Sequence, residues 1–170
     1  TSGLKSIDEY EYNSTFFNVS LKKKSLYTLP VGSTAEELVS QTTYTNAVND
    51  LGSQRYFSYV SSSSEINYLS GTSITKQYTY DSNGNLTTYR EDFDDGSYNT
   101  VTSSDFSSAG TWLPAKPQTV TSTKKHYQDS QSFNSTSTFT YYSVTGLPNT
   151  KTVGPLTTTY SYDNYGNLTR

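Results

Sequence analysis

The sequence predicts an all-β fold, a twisted antiparallel meander of hairpins with room to curl into an open sheet, and three observations carry that expectation. Apolar and polar residues alternate with period two, as in Phe17, Val19 and Leu21 against Asn18, Ser20 and Lys22. Turn signals recur at short intervals: Asp50-Leu51-Gly52, Asp81 to Gly84, Asp94-Asp95-Gly96, Gly154-Pro155 and Asp163 to Gly166. Serine, threonine and tyrosine dominate the remaining positions. Thr and Tyr favour strands, and few stretches would make a good helix.

At 170 residues the chain has the size of a single domain, residues 1–170, long enough to bury a core. Only 31% of residues are hydrophobic, yet 15% are aromatic, with 17 tyrosines and seven phenylalanines. Disordered chains are poor in aromatics and usually carry high net charge, whereas the formal charge here is −3. That mild negative charge, with no basic stripe, argues against nucleic acid as a partner. Cysteine is absent, which removes disulfides, thiolate nucleophiles and Cys-bearing zinc sites. A small animal secreted domain would usually be stapled, so a bacterial secreted or cell-surface protein fits better. No apolar run approaches the roughly 20 residues of a membrane span, and the N-terminus does not read as a signal peptide. The chain opens at Thr1 and stops at Arg170 inside a motif, which predicts a piece of a longer protein.

Along the chain, Lys22, Lys23 and Lys24 read as a solvated hairpin tip. Ser33 and Glu36 have capping-box spacing, enough for one helical turn and the only helical hint. Strands are expected at about 38–46, 55–60, 65–69, 73–80, 85–91 and 97–103. A loop around Trp112 comes next. Further strands are expected at about 118–125, 132–142, 147–153 and 156–162. The Ser61–Ser64 run between two of these reads as a loop. Whether residues 1–40 join the same sheet is left open at this stage.

Two segments nearly repeat: Tyr78-Thr79-Tyr80-Asp81-Ser82-Asn83-Gly84-Asn85-Leu86-Thr87 and Tyr160-Ser161-Tyr162-Asp163-Asn164-Tyr165-Gly166-Asn167-Leu168-Thr169. Tyrosines at i and i+2 point to one face of a strand and can stack on neighbouring strands. The Asp can accept hydrogen bonds from backbone N–H groups just ahead of it. The Gly permits positive φ in the turn, and the Leu restarts apolar alternation on the returning strand. A degenerate copy runs from Phe139 through Tyr141 and Gly146 to Pro148, its glycine one place later, so its turn should differ. The 21-residue step from Phe139 to Tyr160 predicts two unmarked repeats before it, near Tyr98 and Val120. Tyr10-Glu11-Tyr12-Asn13 reads as a further eroded copy.

The pattern Y-x-Y-D-x-x-G-N-L-T resembles the YD repeat of bacterial Rhs proteins, insecticidal toxin-complex subunits, wall-associated proteins and animal teneurins. Residues 74–170 carry the resemblance, including Asp95-Gly96, Gly110-Thr111-Trp112-Leu113-Pro114 and Thr145-Gly146-Leu147-Pro148. It implies hairpins joined edge to edge into a spiralling sheet, which in complete members closes into a hollow shell around a toxin domain. Rhs-type shells often carry a D-P-x-G motif whose carboxylates free the cargo. That motif does not occur here, so self-cleavage is not transferred.

The residues offer little chemistry of their own. Glu91, Asp92, Asp94 and Asp95 are dense but lack the alternate spacing of a calcium loop, and read as an exposed hairpin turn, with adventitious cation binding as the alternative. His126 is the only histidine and has no triad partners to recruit, so it reads as a strand-end residue. Asp81 and Asp163 each have a full explanation in their turns. Trp112 reads as core packing, with sugar stacking as the alternative. No cofactor or metal is expected. The expectation is therefore a non-enzymatic structural module whose partners are other repeats of its parent chain, with edge-to-edge self-association. A glycan-binding module using exposed tyrosines is the alternative.

Overall fold

The computed structural model describes residues 3–50, 56–107 and 116–169, and these build one sheet. Its strands are β1 (Gly3–Asn13), β2 (Asn18–Leu29), β3 (Glu37–Asp50), β4 (Tyr56–Asn67), β5 (Thr72–Tyr80), β6 (Leu86–Phe93), β7 (Ser97–Ser107), β8 (Lys116–His126), β9 (Phe133–Tyr141), β10 (Pro148–Val153) and β11 (Leu156–Thr159). Each pairs antiparallel with its neighbours in sequence, so the spatial order is the chain order. The sheet is an open all-β meander, and no helix occurs among the described residues. Residues 3–40 belong to it, through β1, β2 and the start of β3.

No hydrophobic side chain is buried among the described residues; the buried side chains are Ser25 and Ser63. A single layer has two faces and nothing to press against either one. Stability therefore rests on the backbone ladder and on side chains that meet across strands. Register places Thr79, Thr88, Thr102, Thr121 and Thr136 in one row over five strands. Ser104, Thr119, Thr138, Thr152 and Thr157 form a second row on the same face. Hydroxyl pairs bind within the rows, at 3.1 Å for Thr121–Thr136 and 2.9 Å for Thr152–Thr157. The opposite face carries Tyr78 opposite Tyr89 and Phe139 opposite Lys151, while Arg90 and Tyr98 stand on the threonine face.

Register shifts interrupt the ladder at Glu9/Tyr10, Leu26/Tyr27, Thr45/Asn46, Thr79/Tyr80 and Pro148/Thr150. Such bulges increase local twist, and their recurrence suits a sheet that coils rather than lying flat.

Several local expectations are corrected. Lys22, Lys23 and Lys24 lie inside β2, where Lys22 and Lys23 pair across the ladder with Glu11 and Glu9. The tip lies earlier, at residues 14–17, where the Asn13 carboxamide oxygen accepts the Thr15 and Phe16 N–H groups. Ser33 does not cap a helix; its hydroxyl binds the backbone of Ala35 in a local turn. The Ser61–Ser64 run is mid-strand, so the two strands expected at 55–60 and 65–69 are one, β4. Small serines are accepted there because larger groups stand opposite, as Tyr44 does to Ser63.

The repeat step is corrected too. Strands β5 to β8 run 8 to 11 residues, so two hairpins fill the interval in which three short repeats were expected. Tyr98 consequently lies second in β7, after a turn at the other end of the sheet, and Val120 lies in the middle of β8. Trp112, with Gly110, Pro114, Leu51 and Gly52, falls outside the described residues.

A sheet with no closed core should tolerate truncation of its larger apolar groups. Ile74→Ala is expected to lower stability by about 1 kcal/mol, against the roughly 2–5 kcal/mol typical of a packed interior. Urea unfolding followed by tyrosine fluorescence would check this, and a loss above that lower bound would show a hidden second layer.

Candidate functional site

The sequence singles out the Tyr-x-Tyr-Asp turns, and their local geometry is the same in both clear copies. In the first, the Asp81 carboxylate accepts the backbone N–H groups of Asn83 and Asn85 at 2.8 Å each. Its other oxygen accepts the Asn85 side-chain amide at 2.8 Å. The backbone closes the turn from both sides, with Asp81 N–H donating to Asn85 O and Gly84 N–H to Asp81 O. Gly84 takes φ of +84°, a left-handed value that suits glycine. In the second copy Asp163 accepts from Tyr165 N–H, Asn167 N–H and the Asn167 side chain, and Gly166 has φ of +83°. Each Asp thus binds N–H groups two and four residues ahead, and the motif's Asn returns a bond to it.

These bonds act on the carboxyl groups. Desolvation pushes the Asp81 carboxyl up, but the Asn85 side chain and the backbone N–H groups of Asn85, Asn83 and Gly84 hold it below the ordinary carboxylate range. The Asp163 carboxyl is also lowered, first by the Asn167 side chain and then by the Asn167 N–H. The degenerate copy differs as its later glycine implies. Gly146, at φ +64°, donates to Tyr142 O, and Tyr142 N–H donates to Leu147 O, so the loop is one residue longer and holds no carboxylate.

The described tips at this end of the sheet are those at residues 14–17, 81–85, 142–147 and 163–166, and aromatic groups pack beside them. Phe16 of the first tip meets Tyr56 edge-on at 4.9 Å. Tyr80 packs against Tyr59 at 4.8 Å and Phe57 at 5.4 Å. A side chain added at Gly84 would touch the Phe57 ring at 3.5 Å, so the turn lies directly over that ring. In the last tip Gly166 faces Leu147, while Tyr162 meets Tyr142 at 6.1 Å. The Tyr142 hydroxyl donates to Tyr160 O, and the Tyr141 hydroxyl to Pro117 O.

Each clear turn therefore rests on side chains of the hairpin before it. Tyr78 instead stacks along the sheet face on Tyr89. Leu86 and Leu168 remain partly exposed beside their turns. Sequence reasoning missed Phe57, Leu147 and Tyr142 as the platforms, because Phe57 lies outside the motif and the other two belong to the degenerate copy in the preceding hairpin.

A second cluster lies at the other end. Arg90 holds Asp92 with two nitrogens, at 2.8 and 2.6 Å, and lies 4.2 Å over the Tyr98 ring. The Tyr127 hydroxyl joins both, bonding to Arg90 and Asp92. Glu91, on the opposite face, takes the Tyr89 hydroxyl and faces Lys76 at 3.7 Å. Of the four acids read as one turn, only Asp94 and Asp95 are in it; Glu91 and Asp92 are strand residues. His126 closes β8 and contacts Asp95 O at 2.7 Å.

The two motif aspartates sit on tips separated by β7 to β10. No group of three metal-ligating side chains occurs among the described residues. A surface cavity of about 380 Å³ opens between the last two tips, with Tyr142, Leu147 and Tyr162 as its larger walls and Asp163 at its rim.

Asp81→Ala is expected to cost about 1 kcal/mol, since it strips the acceptor from two turn N–H groups. Asp81→Asn should cost less, keeping an acceptor for the backbone but facing its amide toward that of Asn85. Depressed carboxyl values mean stability that is present above the ordinary Asp value of 3.8 and lost as pH falls through the lower folded values. Thermal melts from pH 6 to pH 2 should show that decline start near pH 4, and the Asp81→Asn, Asp163→Asn double variant should lessen it, the lowered Asp92 and Asp95 carboxyls keeping the remainder.

No family model matches the chain, and no curated protein does. Among solved structures the chain is similar to a porin-like protein from Bacteroides uniformis ATCC 8492, at 17% identity and a TM-score of 0.42. That match covers 99% of this chain and 81% of the other.

Proposed function

We propose that this chain is a structural YD-repeat module of a bacterial secreted or cell-surface protein, forming part of the wall of an Rhs-like shell or fibre, with no catalysis of its own. The observation that carries the reading is the use of the motif carboxylates. Asp81 and Asp163 accept hydrogen bonds from their own turns, which in turn rest on side chains of the preceding hairpins. A motif used in this way builds sheet and leaves no group poised for proton transfer. The open single layer suits a wall segment, since its outer strands β1 and β11 can continue edge to edge into other repeats of a parent chain.

Turnover is the decisive measurement. Panels of glycoside, ester and peptide substrates are expected to give no rate above background, and Asp81→Asn or Asp163→Asn should lower only the melting temperature. A rate that either substitution abolished would overturn the reading.

A second reading, glycan binding, is favoured by one feature, the cavity cornered by the Tyr142 and Tyr162 rings with Asp163 and Asn164 at its edge. Rings set at a corner beside polar groups suit the apolar face and hydroxyls of a sugar. Glycan-array binding lost on Tyr142→Ala would establish it, and an array without signal would remove it.

A further inference from the structure

We infer that two copies of this chain associate through antiparallel pairing of their β1 edges, in one register with a two-fold axis through Ile7. The inference goes beyond the structural role proposed above, because it names the edge, the symmetry and the contacts.

Among the described residues β1 and β11 are the two outer strands of the sheet. They are unequal as edges. β11 runs only from Leu156 to Thr159, carries no charge, and leads into a turn whose returning segment bridges Tyr162 to Leu168. Nothing along it selects a register. β1 spans Gly3–Asn13 and stays regular across the register shift, where the extra residue is Lys22 on β2. Nothing interrupts its outer row of backbone N–H and C=O groups, and such an edge is a template for another strand.

Symmetry then restricts the register. A two-fold axis normal to the sheet keeps each face on its own side, so odd residues must face odd and even must face even. Centring on Asp8 sets that carboxylate against itself, and centring on Glu9 does the same. Centring on Ser6 shortens the ladder and leaves Lys5 opposite Ile7.

Centring on Ile7 pairs residues 3–11 of each copy with no like charges directly opposite, and leaves the two Asp8 carboxylates on a diagonal across the axis. Lys5 then stands opposite the second copy's Glu9, with its Glu11 on the diagonal. On the other face Leu4 meets Tyr10, and Ser6 meets Asp8. Leu4 is 76% exposed and Tyr10 62% exposed in the single chain, so the pairing covers two large apolar groups per copy. Charge chooses the register while the backbone ladder and apolar cover supply the attraction.

Charge reversal tests this in the intact chain by sedimentation velocity from about 1 μM to about 1 mM. The wild-type chain should show a reversible dimer. Lys5→Glu alone or Glu9→Lys alone should raise its dissociation constant about tenfold or more, because each places like charges together twice per interface. The Lys5→Glu, Glu9→Lys double variant should recover the dimer. Within one chain Lys5 pairs with Glu36 and Glu9 with Lys23, and the double reversal restores neither, so recovery reports only the contact between copies.

Since the chain has no cysteine, Ile7→Cys supplies a second readout, a disulfide formed across the axis on mild oxidation. It serves if a reversed variant loses its β circular dichroism. Thr158→Cys, on the other edge, should not cross-link. A chain that stays monomeric at the highest concentration, a double variant that does not recover, or cross-linking at Thr158→Cys in place of Ile7→Cys would each overturn the inference.

Discussion

Every inner strand of this molecule is held on both sides by a neighbour in sequence, and that unbroken backbone ladder must do what a core does elsewhere. No apolar side chain is withdrawn from water among the described residues, so the usual gain from burial is spread thinly over half-covered groups. Cross-strand contacts make up the difference in small increments of about 0.2–1 kcal/mol each. The threonine rows on one face and the Tyr78–Tyr89 pair on the other are such increments. Strand order follows because each hairpin finds its partner in the segment just made, and only local closures are needed.

Within that ladder the tips are the places where geometry is most tightly specified. A carboxylate anchors two N–H groups, a glycine takes the left-handed conformation, and a ring or leucine from the previous hairpin supports the turn from below. The same device appears without the carboxylate. Asn13 and Asn67 each accept the N–H groups two and three residues ahead, at the tips after β1 and β4. Amide and carboxylate oxygens serve alike as acceptors, which explains how Tyr12-Asn13 occupies the position of a Tyr-Asp pair. The charge adds a pH dependence that the amides lack.

The all-β class, the antiparallel meander and most strand positions were legible because period-two alternation and turn chemistry act over a few residues. The glycines and aspartates of the two clear copies were legible for the same reason, since Asp81 and Gly84 satisfy one another's neighbours inside a single turn. Strand length was not. The Ser61–Ser64 run has the composition of a loop, and it becomes strand only because β3 and β5 flank it with ladder partners. Lys22 to Lys24 likewise read as a tip until Glu9 is found opposite Lys23, with Glu11 3.8 Å from Lys22.

By itself, then, the sequence determined what each short stretch would do: which residues extend, which turn, and which oxygen closes each turn. Those are matters of backbone preference and hydrogen bonds within four residues, and they are settled locally. The tertiary structure alone decided how long the strands run, that all eleven join one open layer, and that each clear motif turn rests on Phe57 or on Leu147 and Tyr142. These depend on registers between segments tens of residues apart. A strand's partner, rather than its own composition, decides whether a polar run is paired or free.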